Sequence, residues 1–179
     1  MAIIVEINKE LAHCLRVDAV ENLCNWISNK ATKEIPLPVD EAIVEVFAGR
    51  TIRRYWSSDA VGVHLIWMSP VRVSPDHRVL VAIGADRDED FASWQSRLTT
   101  VPHELSHISE FIRRFDGRTP SEVVASGGKD ELQAWTSNGE PFHSKHEMLA
   151  REMVTAFLRD EPRWQEAPDC PRNCGCRPR

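Results

Sequence analysis

The order of strand-like and helix-like segments in this 179-residue chain predicts an α+β fold in a single domain. Segments that alternate between apolar and polar residues predict strands, and segments with apolar residues three and four apart predict amphipathic helices. The predicted order is strand, helix, helix, strand, strand, followed by two long helices. We therefore expect a small, twisted, mostly antiparallel sheet with backing helices, a long helix that runs under the sheet, and a further helix towards the C-terminus.

The first half of the chain supplies three of these elements. Residues 2–7 are rich in β-branched side chains and predict a strand. A helix is expected to start at a cap formed by Asp18 and Glu21 and to end near Asn29, with a buried face of Val20, Leu23, Cys24 and Ile27. Residues 40–48 predict a short helix, although their apolar residues also fit a strand.

Two further strands and a helix precede the most informative part of the chain. Residues 61–67 and 78–83 both alternate in hydrophobicity, which predicts two half-buried strands that pair antiparallel. A helix is then expected from Asp88 or Asp90 through Leu98, separate from the helix that follows.

The segment His103-Glu104-Leu105-Ser106-His107 has the pattern His-Glu-x-x-His, written HExxH below. We expect its helix to begin just before the motif, because Thr99 or Thr100 can act as N-cap and Pro102 suits a first turn. Gly117 is expected to end it. Apolar residues at helical spacing predict a buried face beside the two histidines: Val101, Leu105, Ile108, Phe111, Ile112 and Phe115.

Residues four apart on a helix lie one turn above each other, so both imidazoles of this motif can reach one metal ion. Glu104 lies to one side, where its carboxylate can hold and deprotonate a metal-bound water. A catalytic zinc site usually has three protein ligands and one open position. The glycine and the third histidine of the extended metzincin motif are absent, so the third ligand must come from elsewhere.

The segment 143–158 is the best source of that ligand, since it predicts a second amphipathic helix. Its apolar stripe consists of Leu149, Ala150, Met153, Ala156 and Phe157. His146 lies near the centre of the stripe, His143 and Glu147 lie on one shoulder, and Glu152 lies beyond the other. All four side chains remain open as ligands on this reasoning.

The HExxH motif and the later Glu147-Met-Leu-Ala150 resemble the gluzincin-like zincin metallopeptidases, particularly small zincin-like domains of bacterial and mobile-element proteins. The match covers roughly residues 98–160 and is specific only at HExxH. The resemblance implies a zincin-like fold, Zn²⁺ as cofactor, His103 and His107 as ligands, Glu104 as general base and Glu147 as third ligand. The insert between the helices is longer than in compact members, so His143, His146 and Glu152 stay alternatives.

Further expectations concern the substrate cleft. The oxyanion of the reaction needs a stabilising group, for which His143, His146, Arg113 and Arg114 are possible. In the zincin family an edge strand aligns the substrate backbone, and residues 78–84 are our prediction for that edge. Residues 119–141, rich in Gly and polar residues, predict a long loop that gates the cleft.

Composition limits the classes of partner. Apolar residues make up 42% of the chain and charged residues 27%, which indicates a folded core. A net charge of −5 disfavours a general nucleic-acid binder, and no apolar run is long enough for a membrane span. Residues 1–7 do not resemble a signal peptide, and five cysteines are an odd number, so we expect reduced thiols and a cytoplasmic location.

The predicted domain organisation is a metallopeptidase domain at 1–160, with two lobes around a cleft, and a tail rich in Cys, Pro and Arg at 161–179. Cys170, Cys174 and Cys176 in that tail lack paired C-x-x-C spacing, which favours a flexible tail over a second zinc site. The predicted function is a zinc peptidase acting on peptides or proteins. The alternative is a non-catalytic binding or regulatory module with the same fold.

Overall fold

A computed structural model describes residues 2–7, 15–30, 41–47, 62–65, 78–82, 94–118, 120–137 and 143–169 of the chain. The strands are β1 (Ala2–Ile7), β2 (Glu41–Phe47), β3 (Gly62–Leu65) and β4 (Arg78–Ala82). The helices are α1 (Leu15–Lys30), α2 (Trp94–Arg114), α3 (Pro120–Ala125), α4 (Lys129–Ser137) and α5 (His143–Asp160). A 3-10 turn, Pro162–Trp164, follows α5.

The predicted fold class, α+β with a small and mostly antiparallel sheet, is wrong. The residues whose side chains the structure describes are 83% helical and include no strand residue, so the described core is an assembly of helices. The four strands are defined by backbone pairing alone, in the order β1-β2-β4-β3. Two of the three pairings, β1 with β2 and β2 with β4, are parallel, and only β3 with β4 is antiparallel.

Chain connectivity explains the parallel pairing of β1 with β2. Helix α1 lies between β1 and β2 in the sequence, and such a crossover lets the second strand run in the same direction as the first. The short helix expected at residues 40–48 is wrong, because this segment is strand β2, paired on both sides. The β-branched residues Ile43, Val44 and Val46 favour a strand at this position.

The predicted substrate-aligning edge is also wrong. Strand β4, which covers most of the predicted edge at residues 78–84, lies between β2 and β3 and has no open side for a substrate strand. In this sheet the edges are β1 and β3. Alternation of apolar residues identified a strand, but it carried no information about how many neighbours the strand has.

Helix α1 buries the face that its sequence predicted. Val20, Leu23, Cys24 and Ile27 have no exposed surface. The helix begins at Leu15, so Asp18 lies within its first turn rather than at the cap, where its charge still favours the positive end of the helix dipole.

Helix α2 differs from the prediction at its start. A single helix runs from Trp94 through the motif, with Pro102 inside it, and the expected break before the motif is absent. Pro102 has no N–H to donate to the carbonyl of Leu98, a loss that costs about 3 kcal/mol in an average helix. The apolar face continues across this point, with Leu98, Val101 and Leu105 fully buried, so packing of that face offsets the lost hydrogen bond.

The two threonines expected to cap α2 lie inside the helix and are buried. The hydroxyl of Thr99 donates to the carbonyl of Gln95 at 2.8 Å. The chain leaves the helix at Asp116 and Gly117, both with positive φ, 52° and 74°. The glycine therefore stands at the predicted stop, where the left-handed conformation costs it little.

Most of the predicted gating loop at residues 119–141 is helical. Helices α3 and α4 occupy this segment, and Val123 on α3 and Leu132 on α4 are buried. The turn between these helices passes through Gly127, whose φ is 88°. A Cβ atom at Gly128 would lie 2.8 Å from Cγ1 of Val123, so the two helices approach too closely there for any larger residue.

Among the described elements, α2 and α5 make the most extensive contact with each other. The apolar stripe of α5 faces inwards, with Ala150, Met153 and Phe157 buried. The first residues after α5 also pack on the protein, since Trp94 Nε1 donates to the carbonyl of the buried Trp164 at 2.8 Å. Cys170, Cys174 and Cys176 lie outside the described residues. Within the described chain, no helix combines the length and apolar character that a membrane crossing requires.

Candidate metal centre

All three motif side chains are buried within helix α2. His103 is 9% exposed, Glu104 8% and His107 4%. Helical spacing alone places His103 and His107 one turn apart, and the packing of α2 on α5 then removes both rings from solvent. A buried polar side chain of this kind needs a partner, so the contacts of each imidazole nitrogen decide what the site can do.

The two motif imidazoles face each other through the same type of ring nitrogen. Nε2 of His103 lies 2.9 Å from Nε2 of His107, and the rings meet edge to face at an interplanar angle of 85°. With Zn–N bonds of roughly 2.0–2.1 Å, two nitrogens on one tetrahedral zinc ion lie about 3.3 Å apart. The two Nε2 atoms would therefore have to move apart by only a few tenths of an ångström to bind one metal ion.

The same pair has a second chemical state that needs no metal. One neutral imidazole can donate its Nε2–H to the lone pair of the other, which gives an ordinary N–H···N hydrogen bond at this distance. The two states differ only in whether a proton or a cation lies between the nitrogens. The pair therefore fits a metal but does not require one.

Helix α5 approaches this pair with two consecutive residues. Nδ1 of His146 lies 3.1 Å from Nδ1 of His107, and His146 is itself 6% exposed. Oε2 of Glu147 lies 3.3 Å from Nδ1 of His103. Each α5 side chain thus contacts the ring nitrogen of a motif histidine that does not face the other motif histidine.

The contact of Glu147 is electrostatic in character. It falls within ion-pair distance, but its geometry does not meet the requirements of a hydrogen bond. The other carboxylate oxygen, Oε1, is held by Arg151 from one turn further along α5, at 2.9 Å from Nε and 2.8 Å from a terminal nitrogen. The carboxylate side chain is 38% exposed.

The structure brings together four of the residues singled out from the sequence, His103, His107, His146 and Glu147, and buries Glu104 on the same helix as the first two. Glu152, an alternative ligand, is exposed on α5. The side chain of His143 lies outside the described part of the chain. The ligand roles of His103, His107 and Glu147 stay predictions, as does the choice of Glu147 over His143, His146 and Glu152.

Within the residues that the structure describes, no group of three or more His, Cys, Asp or Glu side chains has the arrangement of a metal site. The four side chains are close to one another, but their nitrogen and oxygen atoms do not surround a common point. Only the two Nε2 atoms converge on one point, whereas Glu147 and His146 contact the opposite nitrogens of the two rings.

Two of the residues considered for oxyanion stabilisation have partners at the far end of α2. Arg113 binds Glu110 at 2.6 Å, and this hydrogen bond raises the pKa of the guanidinium. Arg114 contacts Glu131 of α4 at 3.2 Å. Both arginines are thus engaged in surface ion pairs. Of the described residues considered for oxyanion stabilisation, His146 lies close to the motif.

The contact between His146 and His107 was not predicted from the sequence. The signal was available, because a histidine in the centre of an apolar stripe must be buried when that stripe packs. The sequence did not show which ring nitrogen of His107 the imidazole of His146 would contact.

No protein-family model matches this chain, and neither the curated proteins nor the solved structures include a significant match.

Proposed function

We propose that this protein is a zinc-dependent metallopeptidase. His103 and His107 are the proposed histidine ligands, Glu147 is the proposed third ligand, and Glu104 is the proposed general base. The observation that carries the proposal is the 2.9 Å approach of the two Nε2 atoms on a buried HExxH helix. The proposed substrate is a peptide or protein, and the proposed location is the cytoplasm, in keeping with the free thiol of Cys24.

Zinc bound at these residues would supply a Lewis acid and lower the pKa of water towards 7. The protein's own part is to hold the ligands and to move protons. Glu104 lies between the two histidines in sequence and is 8% exposed, so its carboxylate has little competition from bulk water. As general base it accepts a proton from the attacking water, and it later donates that proton to the leaving amine.

Glu147 is proposed as third ligand because its carboxylate lies against a motif imidazole and extends from a different helix. Carboxylate oxygens are common zinc ligands beside two histidines. Arg151 restricts this carboxylate from the solvent side. In a second arrangement Glu147 does not bind the metal but orients His103 by its contact with Nδ1. Replacing Glu147 would then weaken zinc binding less than the loss of a direct ligand.

The experiment that tests the function is Glu104→Gln in the zinc-loaded protein, assayed for peptide hydrolysis. The amide keeps the shape of the side chain and cannot take a proton, so we expect full zinc binding and a rate at least 100-fold lower, the lower limit of about 10²-fold for general base catalysis. Glu110→Gln is the matched control, since Glu110 lies on the same helix in a surface pair with Arg113. Undiminished hydrolysis by Glu104→Gln would refute the proposed role of Glu104.

A second function is favoured by the burial of the motif. With Glu104 only 8% exposed, a bound metal can hold α2 and α5 together without meeting a substrate. The protein would then be a non-catalytic binding or regulatory module. In that case the wild-type protein binds zinc without hydrolysing peptides, and Glu104→Gln leaves partner binding unchanged.

A further inference from the structure

The buried contact between His107 and His146 joins two nitrogens of the same type, Nδ1 to Nδ1, at 3.1 Å. A contact of this kind holds one proton, which either ring can carry. His107 is also in contact with His103 through its other nitrogen, Nε2. The tautomer of His107 therefore depends on which of its two neighbours donates to it.

Glu147 sets the direction of these protons when no metal is bound. Its negative charge near Nδ1 of His103 favours a proton on that nitrogen, which leaves Nε2 of His103 with its lone pair. The proton between His103 and His107 must then belong to Nε2 of His107. Nδ1 of His107 is left as an acceptor, and His146 donates to it from Nδ1.

A metal ion requires the opposite arrangement at His107. The ion binds the lone pair of Nε2, so the proton of His107 must lie on Nδ1. His146 must then accept instead of donate. Because an imidazole carries its proton on either nitrogen, His146 can make this change while keeping its Nδ1 at the same place and without a net gain or loss of protons.

We propose that His146 is a positioning residue, which holds Nδ1 of His107 in both tautomers and so lets His107 present Nε2 to a metal ion. This inference rests on the proposed function, since it concerns the same centre. It assigns His146 a place outside the ligand set, although the sequence left it open as a ligand. At position 146, a side chain that can only donate or only accept a hydrogen bond would favour one of the two tautomers of His107 over the other.

The test uses the full-length chain and nitrogen NMR of the histidine rings, at a pH about 1.5 units above the ordinary histidine pKa of about 6.5. In the metal-free protein we expect the proton of His107 on Nε2. After zinc is added we expect it on Nδ1, with the proton of His146 moved to Nε2. Unchanged tautomers of His107 and His146 on zinc binding would overturn the proposal.

Two substitutions complete the test. His146→Phe keeps a planar ring and removes both nitrogens, and we expect zinc affinity to fall roughly 10- to 100-fold, as for other outer partners of metal ligands. His146→Asn, whose amide can donate or accept, should recover part of that loss. Met148→Leu is the control, because Met148 is exposed on the same helix. Zinc affinity in His146→Phe equal to the wild type would contradict the proposal, provided its thermal unfolding remains cooperative.

Failure of this inference and failure of the proposed function give different results. Zinc binding without peptide hydrolysis would refute the peptidase and leave the role of His146 intact. Zinc binding that is indifferent to His146 would refute only the positioning role. If the wild type bound no zinc, the proposed function and the positioning role would both fail.

Discussion

At the scale of single residues, the carboxylate of Glu147 divides its two oxygens between different partners. Oε2 contacts Nδ1 of His103, and Oε1 is held by Arg151. The proposed metal ligand is therefore restrained by a positive charge on one side and by a motif histidine on the other. Such a residue acts on the site in one of two ways, as a direct ligand or as the outer partner that orients His103.

Replacing Glu147 and Glu152 separately by alanine distinguishes these roles. A direct ligand accounts for much of the binding free energy, so Glu147→Ala should bind substoichiometric zinc at a zinc concentration that saturates the wild type. Glu152→Ala, with an exposed side chain on the same helix, should bind about one zinc per chain. Elemental analysis after dialysis is the measurement. Full zinc retention by Glu147→Ala would exclude it as a ligand.

At the scale of elements, α1 and the end of α5 are joined by a small polar cluster around Asp160. Oδ2 of Asp160 accepts a hydrogen bond from Nζ of Lys30 at 2.8 Å and another from Nε1 of Trp26 at 3.0 Å. The hydrogen bond from Lys30 is the main cause that lowers the pKa of Asp160, followed by that from Trp26. The edge of Trp26 also packs on Phe157, so the cluster continues the apolar contact of these helices.

This cluster makes part of the stability depend on acid pH. Because the pKa of Asp160 is lower in the folded protein than in the unfolded chain, where it is about 3.9, the stabilisation is complete well above pH 4. It is lost as the pH falls through the folded value. We expect Asp160→Asn to unfold more easily than the wild type at pH 7, and the difference to disappear at low pH. The effect should be small, since exposed pairs contribute little.

Denaturant unfolding of both proteins between pH 7 and pH 2 measures this difference. Asp130→Asn is the control, as Asp130 is an exposed carboxylate on a different helix. A difference between wild type and Asp160→Asn that stayed constant down to pH 2 would show that the carboxylate charge is not the cause.

At the scale of the whole molecule, the candidate centre is shared by two helices that are far apart in the sequence. His103 and His107 belong to α2, while His146 and Glu147 belong to α5, and the packing of these helices buries their common face. A ligand that binds such a centre binds the folded protein and not the unfolded chain. Its binding free energy is therefore added to the free energy of unfolding.

Zinc should accordingly raise the thermal stability of the whole protein. At a free zinc concentration about 100 times the Kd, the expected gain is about 2.7 kcal/mol. Thermal unfolding with and without zinc, followed by removal of zinc with a chelator, measures it. A variant in which His103 and His107 are both alanine should show no zinc-dependent shift. An equal shift in that variant would place the zinc at another site.

Much of this centre could be predicted from the sequence because it depends on local geometry. The four-residue spacing of His103 and His107 places them together on any helix, and the apolar stripes of 98–115 and 143–158 predicted that both helices would pack. The same reasoning was wrong at Pro102, which it placed in a first turn. Burial of the continuous face around Leu98 and Leu105 offsets the local cost of this proline, and propensity alone does not include that term.

The amino-acid sequence by itself determined which side chains share a helical face, because that depends only on the spacing of residues along a helix. Tertiary structure alone decided which ring nitrogens of the motif the side chains of α5 contact, that β4 is internal, and that two of the three pairings of the sheet are parallel. These features depend on contacts between residues distant in the chain. Such contacts are selected by the burial of whole faces, and no local pattern specifies the partner.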